Sequence, residues 1–222
     1  MPKLLTINVK NLGREVRGFY FFQQPVKFSD GSPVYSNSLY SQSLGSYDST
    51  GSILTFQVDM QYFAAIQQAN SRPQVGQVSG HLFASRAVDL APATGAAGDW
   101  TTASVSPLGF MRPQAGAGVR AGAFRITTPA YPPSAFYYNV GSAVQVDGGV
   151  RLSSFVVANP DNDADFQPIL KYYVQLGNPH AGAVINFQQS SVNAAVCDFS
   201  GGYSAINVTL NRDGTWSTQV VQ

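Results

Sequence analysis

The densest run of hard oxygen donors in the 222-residue chain is Asn159-Pro160-Asp161-Asn162-Asp163-Ala164-Asp165, where Asp161, Asp163 and Asp165 stand at alternate positions. Alternate carboxylates are how a calcium loop begins, because the cation needs roughly six to eight oxygens converging on one point. The rest of that loop is missing. Phe166 stands where the sharp turn needs glycine, and Tyr172 where the bidentate glutamate belongs. The expectation is a solvated acidic turn that binds calcium weakly or not at all.

Other motifs have less behind them. Gly116-Ala117-Gly118-Val119-Arg120-Ala121 matches the relaxed dinucleotide fingerprint, but Pro113-Gln114-Ala115 before it is no strand and Gly122 interrupts any following helix. In Gly76-Gln77-Val78-Ser79-Gly80 the serine falls one place too late for a nucleophile elbow. His81 and His180 cannot build a His/Cys metal cage with the single cysteine, Cys197, which also excludes an internal disulfide. Cys197 lies beside Ala195 on the face opposite Val196, the place of a small buried hydrophobe, with no nearby cation to activate the thiol. Asn207-Val208-Thr209 is a glycosylation sequon inside an expected strand, and chance explains it.

Tyr35, Tyr40 and Tyr47 punctuate the Ser/Asn/Gln-rich run from Asp30 to Thr50. Rigid aromatics among small polar residues give contact area at little entropic cost, which is the chemistry of a ligand-binding surface for glycans or another protomer. The bland reading is that tyrosines fill strand faces with their hydroxyls in water.

Charge narrows the partners. Thirteen Lys and Arg against twelve Asp and Glu give a net charge of +1, so no net field draws in phosphate backbones, and nucleic acid is not an expected partner. Charged residues make up 11% of the chain, where about 25% is usual, and Ser, Gly, Gln, Asn, Thr and Tyr take their place. The first residues, Met1 to Val9, lack the apolar core and cleavage site of a signal peptide, and no apolar run is long enough for a transmembrane segment. The expected location is the cytoplasm, or release by a non-classical route.

The elements that must position these groups are strands. Period-two alternation dominates: Leu5, Ile7 and Val9 share a face, as do Leu54, Phe56, Val58 and Met60, with Ile53, Thr55, Gln57 and Asp59 opposite. Further strands are expected over Gly18 to Gln24, Val34 to Leu44, Gln77 to Ala84, Ala121 to Thr127, Ala143 to Val146, Leu152 to Val157, Tyr172 to Leu176, Val184 to Phe187 and Val192 to Phe199. Ile206, Val208 and Leu210 alternate up to Arg212-Asp213-Gly214, and Trp216, Thr218 and Val220 return, which is a strong hairpin signal. Only Tyr62 to Asn70 offers helical spacing, and it reads equally as a continuing strand. Ala91 to Gly98 and Pro107 to Gly122 read as surface loops. The sum is one domain, 1–222, an all-β sandwich of two mainly antiparallel sheets with long surface loops and a core of Phe56, Val58, Val174, Leu176, Ile206, Val208 and Leu210.

Three passages resemble the rhizosphere-induced (RhiA-like) proteins: Leu4 to Asn11; Thr55-Phe56-Gln57-Val58-Asp59-Met60-Gln61-Tyr62-Phe63; and the C-terminal stretch. In the last, Ser154-Phe155-Val156-Val157 leads through Asn159-Pro160 to Tyr172-Tyr173-Val174-Gln175-Leu176-Gly177, and Tyr203, Asn211, Asp213, Thr215 and Trp216 close the chain. The resemblance implies a non-catalytic β protein of plant- or microbe-associated life, and it carries over no catalytic residue.

The functional expectation is a non-enzymatic, cofactor-free protein that acts by self-assembly or surface interaction, as a homo-oligomer or larger assembly. Few charges mean little self-repulsion, and few lysines blunt the strand edges. Lys3 and Lys10 flank the first strand and are expected to protect its edge. The alternative is a lectin-like or lipid-surface-binding module using the tyrosine-bearing loops.

Overall fold

A computed structural model describes residues 4–28, 31–92, 97–133 and 136–221. Lys3, Asp30 and residues 93–96 of the Ala91 to Gly98 loop lie outside them. In chain order the elements are β1 (Leu4–Asn11), β2 (Arg17–Gln23), β3 (Tyr35–Asn37), β4 (Tyr40–Leu44), α1 (Tyr47–Thr50), β5 (Leu54–Ala69), β6 (Leu82–Val88), β7 (Trp100–Val105), β8 (Leu108–Phe110) and β9 (Phe124–Thr128). There follow β10 (Tyr137–Val146), β11 (Gly149–Val157), β12 (Asn162–Phe166), β13 (Lys171–Leu176), β14 (Val184–Ile185), α2 (Phe187–Val192), β15 (Ala195–Asp198), β16 (Ala205–Leu210) and β17 (Trp216–Val221).

The expected all-β sandwich is the architecture, and one of its layers is divided. A nine-stranded sheet runs β14-β3-β11-β10-β5-β1-β16-β17, with β6 also paired to β5. Two four-stranded sheets, β15-β13-β2-β4 and β12-β9-β7-β8, form the other layer. Pairing is antiparallel except for β1 with β16 and β7 with β9.

Long β5 explains the division. Its even-numbered Leu54, Phe56 and Val58 belong to a core with Phe19, Phe21, Tyr172, Val174, Ile206 and Val208, whereas Ala64 and Ile66, further along, belong to a second core with Phe124, Ile126 and Phe166. Each small sheet covers one core. Between them the ladder with β10 jumps from Asp59↔Gln145 to Phe63↔Ala143, setting Met60, Gln61 and Tyr62 against Val144 alone. Such an irregularity bends a strand and raises its twist, letting one strand serve both halves. The helical alternative for Tyr62 to Asn70 therefore gives way to strand, since a continuous ladder with β10 and β6 satisfies its backbone.

Several expected boundaries move for visible reasons. The run Val34 to Leu44 is two strands, because the chain crosses layers at Ser38-Leu39, whose amides donate to Ala183 O and Phe21 O. Strand β6 starts only at Leu82. Ahead of it Ser79 is tied down by side chains: its hydroxyl accepts from Asn37 Nδ2 (2.9 Å) and donates to Gln67 Oε1 (2.7 Å), and its carbonyl accepts from Asn139 Nδ2 (2.8 Å). After Ile185 the expected strand becomes α2, capped by the Asn186 side chain accepting from Gln189 N. The Pro107 to Gly122 loop includes β8 and is clasped by paired backbone bonds between Trp100 and Gln114.

Two further expectations are corrected. Leu176 is 37% exposed, at the end of β13 where β15 pairs only as far as Val174, while the other six expected core residues are buried. Strand β1 is not an edge: it lies between β5 and β16, so Lys10 guards no ladder and instead sets its ammonium 4.1 Å from the centre of the Tyr47 ring.

Candidate functional site

The Asp-Gly pair at 147–148 closes the β10–β11 hairpin with φ of 45° and 75°, the left-handed backbone of a tight two-residue turn. The β10 ladder thus stops at Val146↔Val58, while β5 begins at Leu54. On that side β5 runs past the hairpin and leaves an open bay of about 290 Å³. Thr55, Gln57 and Asp59 enter it from β5, Gln145 and Asp147 from the hairpin, and Tyr40 from β4 of the facing sheet.

Tyr40 is held from behind. Its ring lies 6.1 Å from Phe21 and 6.2 Å from Phe56, and its hydroxyl meets Gln42 Oε1. Burial and then the Asp147 carboxylate raise the phenol above its ordinary pKa, so it stays a neutral donor and acceptor. Across the ladder Gln145 faces Asp59 directly. The lining holds two carboxylates, two carboxamides and a phenol, the Thr55 hydroxyl donates to Asn8 Oδ1 of β1, and among the described residues no Lys, Arg or His lines the bay.

The three tyrosines do not converge. Tyr35 stacks on Phe155 at 5.5 Å and lines a separate cleft with Pro25, Val34, Val184 and Phe187, and Tyr47 starts α1 beneath Lys10. The aspartates behave differently from a turn. Asp161 alone occupies one, at φ 48°; Asp163 and Asp165 lie on one face of β12, opposite Thr127 and Arg125 of β9. Asp165 takes a two-pronged contact from Arg125 (Nε–Oδ1 2.6 Å, NH2–Oδ2 2.9 Å), and Asp163 accepts from the Thr127 hydroxyl. These oxygens are engaged within the sheet, and among the described residues no three His, Cys, Asp or Glu side chains form a metal-holding group.

Sequence reasoning singled out Tyr40 but missed Asp59, Gln145 and Asp147. Their one local signal was Asp147-Gly148, a turn dipeptide. Elsewhere, Cys197 is fully buried as expected, and burial pushes its thiol up to about 12. His81 and His180 are exposed, and Asn207 lies within β16, its Oδ1 accepting from Asn8 Nδ2.

A second feature is the outer edge of β17. All six residues, Trp216–Val221, are uncharged, five are exposed, and among the described residues no strand pairs with its far side. Trp216 anchors the strand by donating Nε1–H to Asn193 O (2.8 Å) and packing edge-on to Phe19. The other outer strands are short or charged: β14 and β8 have two and three residues, β12 carries Asp163 and Asp165, β6 carries Arg86, and β15 carries Asp198. Among the described strands only five-residue β4 is also bare.

Fold and surface together define a charge-poor, all-β sandwich protein with a polar, tyrosine-bearing bay and a bare sheet edge. The RhiA family model matches residues 5–221, and the chain belongs to that family, as its resemblance to the rhizosphere-induced proteins implied. No curated protein and no solved structure matches it. Among the described residues no helix is long and apolar enough to cross a membrane.

Proposed function

We propose that this protein works without catalysis, by associating with further copies of itself through the outer edge of β17. The observation that carries the reading is that β17 is the longest uncharged outer strand among the described residues. An edge strand presents a row of unpaired N–H and C=O groups, and native proteins usually blunt it with lysine, proline or a bulge. Here no such device is present. Two β17 strands related by a two-fold axis set each residue against a residue of the other copy, where a charge near the centre would meet its like. Ser217, Thr218, Gln219 and Val220 pair without that penalty.

Magnitudes make the association modest. About six new backbone hydrogen bonds at about 1 kcal/mol each stand against about 4–15 kcal/mol of lost translational and rotational freedom. Burial of Val220 and Val221, each near 40% exposed, adds apolar area but not a large core. The expected species is a concentration-dependent dimer, insensitive to salt because no charges meet in it.

Sedimentation velocity from micromolar to sub-millimolar concentration tests this. A dimer growing with concentration and lost in Thr218→Lys supports the proposal; a single monomeric species across the range overturns it. The Thr218 side chain is exposed, so the substitution leaves the fold intact.

A further inference from the structure

We infer that the bay between β5, the β10–β11 hairpin and Tyr40 is a binding site for one residue of a neutral glycan. The inference goes beyond self-association and does not depend on it.

Three properties of the bay select the ligand. The first is its hydrogen-bonding inventory. Asp59 and Asp147 are acceptors when ionised, Gln57 and Gln145 both donate and accept, and the Tyr40 hydroxyl, which donates to Gln42 Oε1, can accept. A sugar ring presents neighbouring hydroxyls, each a donor and an acceptor. Two carboxylates can accept from such hydroxyls, with the carboxamides completing each pair, and charge-assisted bonds of this kind are about twice as strong as neutral ones.

The second property is charge. With two carboxylates and, among the described residues, no lining Lys, Arg or His, a phosphate, sulfate or sialic acid would enter against repulsion with no compensating cation from them. This separates a glycan from an anionic lipid headgroup, the other surface ligand to which a tyrosine-bearing loop could be fitted.

The third is the platform. Tyr40 leans on Phe21 and Phe56, so the ring is ordered before a ligand arrives and little side-chain entropy is lost on binding. An ordered aromatic beside hydroxyl-binding groups offers the apolar C–H face of a sugar something to cover. At about 290 Å³, at the low end for small-molecule sites, the bay suits a single terminal sugar.

The backbone supports the same reading. The Asp147-Gly148 turn is fixed by its positive φ values, so the Asp147 carboxylate is delivered by a rigid hairpin end. Asparagine adopts this backbone as readily as aspartate. Asp147→Asn therefore removes the charge while keeping the turn, and it separates ligand chemistry from folding.

The test uses the full chain on an array of neutral oligosaccharides ending in glucose, galactose, mannose or N-acetylglucosamine, beside sialylated and sulfated counterparts. Saturation-transfer NMR with the methyl glycosides of the four sugars follows. Retention of a neutral glycan over its anionic counterparts is expected, with affinity falling about tenfold or more in Asp147→Asn and in Tyr40→Ala, and unchanged in Asp163→Asn on the far small sheet. Thr218→Lys chains, whatever their association state, are expected to bind the methyl glycoside as the unaltered protein does, which separates failure here from failure of the edge-pairing reading. Absence of binding to every neutral glycan, preference for the anionic ones, or equal affinity in Asp147→Asn and the unaltered protein overturns the inference.

Discussion

Arg125 and Asp165 face each other across the β9–β12 ladder, the guanidinium gripping the carboxylate with Nε at 2.6 Å from Oδ1 and NH2 at 2.9 Å from Oδ2. Both side chains are about one-fifth exposed (21%), so the pair sits between a surface ion pair and a buried one. Exposed pairs contribute about 0.2–1 kcal/mol, and breaking a buried pair costs about 3–5. Asp165→Ala is expected to destabilise the fold by about 2 kcal/mol in urea unfolding, and Asp163→Ala, half-exposed and 3.9 Å from the arginine, by less than about 1. Equal effects of the two substitutions would contradict this geometry.

That pair also shows where the sequence stops being legible. Asp161, Asp163 and Asp165 read as a turn because aspartate is rare in strands. What makes 162–166 a strand is a partner forty residues earlier, invisible to local pattern. By contrast the β16–β17 hairpin was fully legible: Asp213-Gly214 sits between two alternating runs, and Leu210 pairs with Trp216 as the alternation requires. In the bay, Tyr40 declared itself by its polar setting. Asp59 and Gln145 did not, because only the register of β10 on β5 brings them together. Leu176 follows the alternation correctly and is still exposed, since periodicity tells which face a residue is on but not how far the neighbouring strand β15 extends.

Close approach of two strands gives a sharper test. A Cβ on Gly141 would lie 2.1 Å from Ser154 O and 2.6 Å from Phe155 Cα, both backbone atoms of the paired strand β11. Neither can swing aside as a side chain would. Gly141→Ala is expected to cost about 3 kcal/mol or more, whereas Gly109→Ala, with open space around it, stays within about 1. Thermal unfolding of the two variants decides it.

Asp198 and Lys171 pair across β13 and β15 at 3.0 Å. The Asp198 carboxyl is held down at about 2, first by the Ser200 hydroxyl and backbone N–H and then by Lys171. A lowered pKa means the folded chain binds this proton less readily than the unfolded one. The contribution is therefore complete above the unfolded carboxylate value of about 3.9 and disappears as pH falls through about 2. Both groups are substantially solvated, so the effect on stability is small. Carboxyl NMR titration is expected to show Asp198 rising in both Ser200→Ala and Lys171→Met, and no rise in Ser200→Ala would refute the hydroxyl as the leading cause.

Cys197 offers a probe of the first core. It is fully buried in β15, and its thiol is pushed up to about 12 by burial alone. At pH 8 the native protein is expected to resist alkylation by iodoacetamide and to react fully in denaturant, because the thiolate is the nucleophile. Rapid labelling without unfolding would mean that β15 separates readily from β13.

The central claim, association through β17, is tested most directly by hydrogen–deuterium exchange at two protein concentrations, one below and one above the onset of association seen in sedimentation. Half of the β17 amides point away from β16 and have no partner among the described residues. The account predicts that those outward amides of Trp216–Val221 gain protection on concentrating, while β4, the other bare edge, exchanges as before. Unchanged exchange along β17 in a sample that has demonstrably associated, with protection appearing at another surface, would contradict it.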